Sequence, residues 1–117
     1  MQLDAGQQDH YARHLLLDGF GGEGQERLLA AAVQVEGEGE AALWCARYLA
    51  SSGVGRLAVE VPAWADELRA LGPWLLLVDS AGRRVAPLDG SGPAESAMNG
   101  ARAAIEVVRA VARGTAA

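Results

Sequence analysis

The fold is decided by residues 10–61, HYARHLLLDGFGGEGQERLLAAAVQVEGEGEAALWCARYLASSGVGRLAVEV. The second half of this stretch predicts a buried strand over residues 33–36, a glycine turn, a helix that ends at Gly53, and a second strand over residues 56–61. A strand, a helix and another strand in this order are typical of a parallel βαβ unit. We therefore predict an α/β fold of the Rossmann-like type.

Two helices are predicted before this unit. Asp9 is a suitable N-cap for the first helix, which ends at Gly19, and residues 25–32 have the composition of the second. The glycines within residues 21–24 predict a turn between the two helices.

The remainder of the chain predicts a short helix over residues 63–71, a strand over 74–78 and a last helix over 95–113. Residues 74–78 are all apolar, which is typical of a central strand. Residues 79–82 have turn chemistry, so residues 83–88 are expected to return as an antiparallel edge strand. The predicted fold is a truncated Rossmann-like three-layer arrangement with about three parallel strands plus this antiparallel edge strand.

The length and composition suit one domain, because half of the 117 residues are hydrophobic. We divide it into an N-terminal helical arm, residues 1–32, and a Rossmann-like core, residues 33–117. The net charge is −5 and only 5% of residues are aromatic, which argues against nucleic acid as a partner. All ten basic residues are Arg, so this sequence has neither a P-loop lysine nor a Schiff-base lysine.

Cys45 is the only cysteine, so neither an internal disulfide nor a multi-cysteine zinc site can form. We expect it to be a buried, inert thiol, since no neighbouring residue in the sequence offers a base. No signal peptide and no apolar run of membrane-spanning length are present, so we expect a cytoplasmic protein without a membrane partner.

Gly37, Gly39 and Ala42 form a G-x-G-x-x-A pattern that follows a predicted strand and opens a predicted helix. In this pattern the first glycine permits a tight turn, and the second lets a phosphate approach the backbone. However, Glu38 and Glu40 place two carboxylates where a phosphate would need positive potential. We therefore interpret the three residues as a retained turn with a vestigial nucleotide site.

Two further features, a histidine pair and a glutamate, could carry chemistry. His10 and His14 have the four-residue spacing of two metal ligands on a helix, but only Asp9 is an obvious third ligand, so no metal site is predicted. Glu60 lies near the position of a ribose-binding acid, but its alternation with buried neighbours should turn it to the other face of the strand.

Several spaced motifs identify a known family. They are YARHLLL at residues 11–17, GF at 19–20, GQERL at 24–28, YLA at 48–50 and GVGRL at 53–57. In this order they resemble the ThiF/MoeB/HesA family, the prokaryotic relatives of ubiquitin-activating enzymes. The resemblance implies a dimeric domain that binds ATP and magnesium and adenylates the C-terminal glycine of a ubiquitin-like sulfur carrier.

The sequence departs from this family where the chemistry occurs. The glycine loop has two glycines instead of four, and the acidic residue for the ribose falls at Val61. Residues 62–73 replace the segment that surrounds the triphosphate, and the zinc and sulfur-accepting cysteines have no counterpart. We therefore predict a degenerate member without a cofactor, a pseudoenzyme that acts through protein association. The alternatives are a weak ATP- and magnesium-binding subunit and a small Rossmann-like module that binds a ligand or peptide.

Arg13 matches the arginine that, in the homodimeric members of this family, reaches the partner's ATP site. A guanidinium could stabilise phosphate charge there in trans, or it could equally form a surface ion pair or a dimer contact. The resemblance implies a homodimer or a heteromer with a related activating enzyme. The candidate interface residues are Tyr11, His14, Leu17 and Phe20.

Overall fold

The computed structural model describes residues 22–114. The helices are α1 (Gly22–Ala30), α2 (Glu40–Ser52), α3 (Ala65–Leu71) and α4 (Pro93–Ala112), with a 3-10 turn at Pro62–Trp64 before α3. The strands are β1 (Ala32–Val35), β2 (Arg56–Val59), β3 (Leu76–Leu77) and β4 (Arg83–Val85). The predicted first helix, with Tyr11, Arg13, His14, Leu17 and Phe20, lies outside the described residues.

The four strands form one parallel sheet in the order β3-β2-β1-β4. Val33 of β1 is level with Leu57 of β2, which is level with Leu77 of β3. The predicted βαβ unit is therefore confirmed, and with it the α/β, Rossmann-like class. α2 ends at Gly53, as its sequence indicates.

The prediction of an antiparallel edge strand is wrong. β4 runs parallel to β1, with Arg83 level with Val33, and lies at the opposite edge of the sheet from β3. Residues 78–82 therefore cross from one edge to the other, and the Ala81 N–H donates a hydrogen bond to the Gln34 side-chain oxygen at 3.0 Å on the way. Turn residues favour a reversal of the chain. The next strand instead pairs with the edge of β1, whose backbone N–H and C=O groups would otherwise lack partners.

Two other sequence predictions also need correction. β3 is a two-residue edge strand and not a central one: Leu75 is 7% exposed, whereas Leu76 is 59% exposed. An apolar run does not reveal how its members divide between core and surface, which depends on the neighbouring elements. The glycines of residues 22–24 lie inside the first turn of α1 instead of forming a separate turn.

The core lies between the sheet and the helices, and all four described helices contribute to it. Its largest fully buried side chains are Leu28, Val33, Val35, Cys45, Leu49, Val54, Leu57 and Leu68, together with the amphipathic Gln25. The predicted third layer stays a prediction, because the first helix of the sequence lies outside the described residues. None of the helices within residues 22–114 combines the length and apolarity that crossing a membrane requires.

A close approach of α4 to α2 organises this core. A Cβ atom on Gly100 would overlap the Ala41 carbonyl oxygen and lie 2.9 Å from the Cys45 backbone nitrogen. Only glycine therefore fits at this helix crossing. The crossing fixes the direction in which α4, and the loop that precedes it, approach the beginning of α2.

Candidate functional site

The glycine turn joins β1 to α2 and has the geometry that its sequence predicts. Gly37 has a φ of +114°, in the region that favours glycine, and a Cβ there would contact the Ala42 Cβ at 3.4 Å. Gly39 is the N-cap residue of α2 and is extended. The structure therefore brings together the three predicted turn residues. The first turn of α2, which follows them, has backbone N–H groups without partners inside the helix.

A carboxylate of the protein itself occupies the beginning of α2. Asp89 accepts a hydrogen bond from the Ala41 backbone N–H at 2.8 Å. The same carboxylate fills the space beside Gly39, because a Cβ on that glycine would overlap it. A helix N-terminus of this kind attracts anions, and here the anion is an aspartate side chain.

Asp89 is held in place by the loop between β4 and α4. The Gly90 N–H donates to the Ser96 hydroxyl oxygen at 2.9 Å, and Ser96 is buried. The Ser91 hydroxyl donates to Glu95 at 2.8 Å, and the Asn99 amide donates to the Leu88 carbonyl at 2.9 Å. These bonds anchor the loop to α4 on both sides of the aspartate, so its position does not depend on the Ala41 contact alone.

Glu60 provides a second carboxylate at the turn. Its Oε2 accepts a hydrogen bond from the Gly37 N–H at 3.0 Å, so the prediction that alternation with buried neighbours turns it to the other face of the strand is wrong. β2 ends at Val59, and the alternation of faces therefore does not extend to Glu60. Val61, which matches the family's ribose-binding acid, offers no polar side chain.

Five acidic residues are thus concentrated at the turn: Glu36, Glu38, Glu40, Glu60 and Asp89. Two of them already accept hydrogen bonds from turn N–H groups, and Glu40 accepts one from the Trp44 indole at 3.2 Å. A phosphate here would meet like charges and compete with a carboxylate that is already bound. The geometry of an anion site is present, whereas its electrostatics oppose an added anion.

Cys45 lies one turn into α2 and is fully buried, as expected. Burial raises the pKa of its thiol from 9.0 to about 12. The thiolate is the reactive form, so at neutral pH this side chain is a small apolar group of the core and not a nucleophile.

A groove on the outer side of α2 was not identified from the sequence. It has a volume of about 350 Å³ and is lined by Trp44, Arg47, Tyr48, Ser51, Glu67 and Leu71. Arg47 donates to Glu67 at 2.7 and 3.0 Å and lies 4.6 Å from the centre of the Trp44 ring. These bonds lower the pKa of the Glu67 carboxyl. Because the Arg47 guanidinium is paired with Glu67 and lies against the Trp44 ring, the groove exposes mainly apolar and aromatic surface.

Residues 22–114 contain no group of three His, Cys, Asp or Glu side chains placed to hold a metal ion. The His10 and His14 pair lies outside the described residues.

The fold and the glycine turn define the class: an α/β domain of the Rossmann-like type, with a G-x-G-x-x-A turn between its first strand and the following helix. Several curated proteins are similar to part of this chain. The chain is 48% identical over 59 residues to the SAMP-activating enzyme E1 of Haloferax volcanii, and 44% identical over 57 residues to the vegetative HesA protein of Trichormus variabilis. It is 51% identical over 49 residues to the probable molybdopterin-synthase adenylyltransferase of Gracilaria tenuistipitata.

The matched segments cover 50%, 49% and 42% of this chain but only 22%, 22% and 14% of those relatives. No family model matches the chain. The matched half of the chain is nevertheless similar in sequence to these ubiquitin-activating-like proteins, so the resemblance to the ThiF/MoeB/HesA family inferred from its motifs is confirmed.

Proposed function

We propose that this protein is a non-catalytic member of the ubiquitin-activating-like family that acts by associating with protein. Its partner is a second copy or a related activating enzyme. The observation that supports this proposal best is the Asp89 carboxylate, which occupies the beginning of α2 and is bonded to the Ala41 N–H. A nucleotide phosphate would need that N–H and that space.

Displacing Asp89 would be unfavourable for two reasons. The loop that carries it is bonded to α4 through Gly90 and Ser91, which keeps the aspartate beside the turn, and its carboxylate would have to give up the bond to the Ala41 N–H. A phosphate would then lie near Glu60, whose carboxylate is bonded to the Gly37 N–H. The sequence contains no Lys with which to offset this negative charge.

Association is supported by apolar side chains at the surface. The large hydrophobic residues that are exposed within the described chain are Tyr48, Leu71, Leu76, Leu88, Met98 and Ile105. Exposed apolar groups that lie together on one surface are typical of protein interfaces. The groove beside α2 and the outer face of α4 both carry such groups.

The test is calorimetric titration with ATP and magnesium, at protein concentrations high enough to detect a Kd of about 1 mM. Circular dichroism on the same sample shows that the protein is folded. We expect no binding heat from the native chain. One-site binding that disappears in Gly39→Leu would overturn the proposal, since it would place a nucleotide at the turn.

One observation favours the alternative of a weak ATP-binding subunit that contributes to adenylation of a ubiquitin-like or sulfur-carrier C-terminus. The turn keeps its backbone geometry at Gly37 and its small residue at Ala42. Under this alternative Asp89 is an exchangeable occupant, and Asp89→Ala should bind ATP more tightly than the native chain does. Asp79→Ala removes an exposed carboxylate from another loop and is the matched control for the change in net charge.

A further inference from the structure

One row of α4 is apolar along the whole helix but only partly covered. Its residues recur at alternating spacings of four and three, the pattern of a helix-pairing seam. We call this row the α4 seam; it comprises Ala94, Met98, Ala101, Ile105, Val108 and Ala112. Val108 and Ala112 are buried, at 9% and 8% exposure, whereas Met98 is 62% and Ile105 46% exposed.

The covered part of the seam lies next to α1. The Arg27 guanidinium donates to the Ala112 carbonyl at 2.7 Å, which places α1 beside the C-terminal part of α4. α1 has 9 residues and α4 has 20, so at about 1.5 Å per residue α1 is less than half as long. The exposed half of the seam, from Ala94 to Ile105, therefore continues an interface that the described chain begins but does not complete.

We propose that residues 94–108 of the α4 seam pair with the same residues of a second copy, antiparallel about a two-fold axis near Ala101, with the exposed Met98 and Ile105 at the centre of the contact. This inference rests on the proposed function, because it names the surface through which the protein associates. Antiparallel pairing places Met98 opposite Ile105 of the second copy. The small Ala101 side chains meet at the axis and permit close approach of the two helices.

Charges beside the seam determine the orientation. Glu95, Arg102 and Arg109 each follow a seam residue by one position, and all three are exposed. In the antiparallel dimer Glu95 of each copy lies beside Arg109 of the other, which gives two opposite-charge contacts. In a parallel dimer Glu95 would have no Arg109 opposite it. The two Arg102 side chains lie near the axis, and Glu106 follows each by four residues on its own helix, where it offsets their repulsion.

Disulfide trapping tests this geometry directly. The native Cys45 is fully buried and should not react, so the unmodified chain supplies the background. Under mild oxidation we expect Ala101→Cys to form a covalent dimer, because equivalent residues meet at the axis. Met98→Cys alone should remain monomeric on a denaturing gel, and the double variant Met98→Cys/Ile105→Cys should crosslink. Residues 98 and 105 of one helix are too far apart to form a disulfide within the chain.

Sedimentation over a range of concentrations gives the dimer Kd. We expect Met98→Glu to raise it at least about tenfold. Leu88→Glu introduces the same charge at a residue that is 78% exposed and off the seam, so it should leave the Kd unchanged. Glu95→Arg and Arg109→Glu should each weaken the dimer, and the double variant should recover most of the native affinity.

The outcomes separate this surface from the proposed function. A dimer that survives Met98→Glu and does not crosslink at residue 101 overturns the α4 surface while association stands. Crosslinking of Met98→Cys alone overturns the antiparallel arrangement. A chain that is monomeric at every concentration overturns the proposal that a second copy binds the seam. If Met98→Glu then abolishes binding to a related activating enzyme, the seam is the surface that binds that enzyme. The ATP titration on the same preparation reports independently on catalytic competence.

Discussion

The Asp89 carboxylate lies 2.8 Å from the backbone nitrogen of Ala41 and caps a helix that begins almost fifty residues earlier in the chain. It satisfies one of the N–H groups that the first turn of α2 leaves without an intrahelical partner. Its negative charge also complements the partial positive charge of that helix end. A contact that stabilises the fold therefore occupies the beginning of α2, where an anion would otherwise bind.

Removing this cap should destabilise the protein. We expect Asp89→Ala to lower the free energy of unfolding by about 1 kcal/mol, the usual effect of losing a carboxylate cap. Urea denaturation followed by tryptophan fluorescence measures the change. Asp79→Ala is the control, because Asp79 lies in an exposed turn, and we expect it to change stability by less than about 0.5 kcal/mol. Equal effects of the two substitutions would contradict a capping role for Asp89.

Gly39 and Asp89 should be energetically coupled. A methyl group on residue 39 would overlap the Asp89 carboxylate, so Gly39→Ala must displace that side chain and lose its bond to Ala41. In the background of Asp89→Gly the same methyl group meets no carboxylate and should be tolerated. A double-mutant cycle measured by urea denaturation should therefore give a coupling of about 1 kcal/mol or more. Additive effects would show that the carboxylate does not occupy the space beside Gly39.

The sequence predicts the part of the fold that local signals determine. The turn before α2 is marked by Gly37 and Ala42, and the end of α2 is marked by Gly53. Because the alternation around Leu57 marks β2, the whole βαβ unit follows from patterns within about thirty residues. These signals are local because helix ends and tight turns depend on the conformation of a few neighbouring residues.

The contacts that define the candidate site are different in kind. Residues 89–93 have the composition of an ordinary loop, and nothing in them indicates which helix end Asp89 caps. Glu60 could be placed only by assuming that β2 continues past Val59, which it does not. The pairing of β4 with β1 likewise depends on which sheet edge is open. Each of these depends on elements far apart in the chain, which one sequence does not specify.

The Cys45 thiol should be unreactive in the native protein. We expect a thiol reagent such as Ellman's reagent to label it only as fast as the protein unfolds, and at once in denaturant. Stability should also depend on this group at high pH. Its pKa is raised from 9.0 to about 12 on folding, so between these values the unfolded chain releases a proton that the folded chain retains.

The stability contributed by this difference is present below pH 9.0 and is lost progressively as the pH rises toward 12. Cys45→Ala should therefore show a weaker decline in stability over this range than the native protein, measured by urea midpoints at successive pH values. Parallel curves for the two proteins, or rapid labelling of the native protein, would contradict the burial of the thiol.

Gly100 provides the most direct test of the helix crossing, because two effects of its replacement have opposite sign. Alanine is the better helix former by about 1 kcal/mol, so Gly100→Ala should stabilise α4 if the side chain had room. The added methyl group would instead overlap the Ala41 carbonyl oxygen and crowd the Cys45 backbone nitrogen at 2.9 Å. Both contacts are with backbone, which cannot rotate away, so α4 must move from α2. We expect a net loss of about 1–3 kcal/mol, the usual range for overpacking.

Gly82→Ala is the matched control, since a Cβ there meets nothing within 4 Å, and it should be neutral or slightly stabilising. The change at Gly100 should also loosen the Asp89 cap, because the loop that carries this aspartate is bonded to the first turns of α4. Slowed amide exchange at Ala41 in the native protein and faster exchange in Gly100→Ala would show this link, whereas a stabilised variant would mean that the two helices are farther apart than this structure places them.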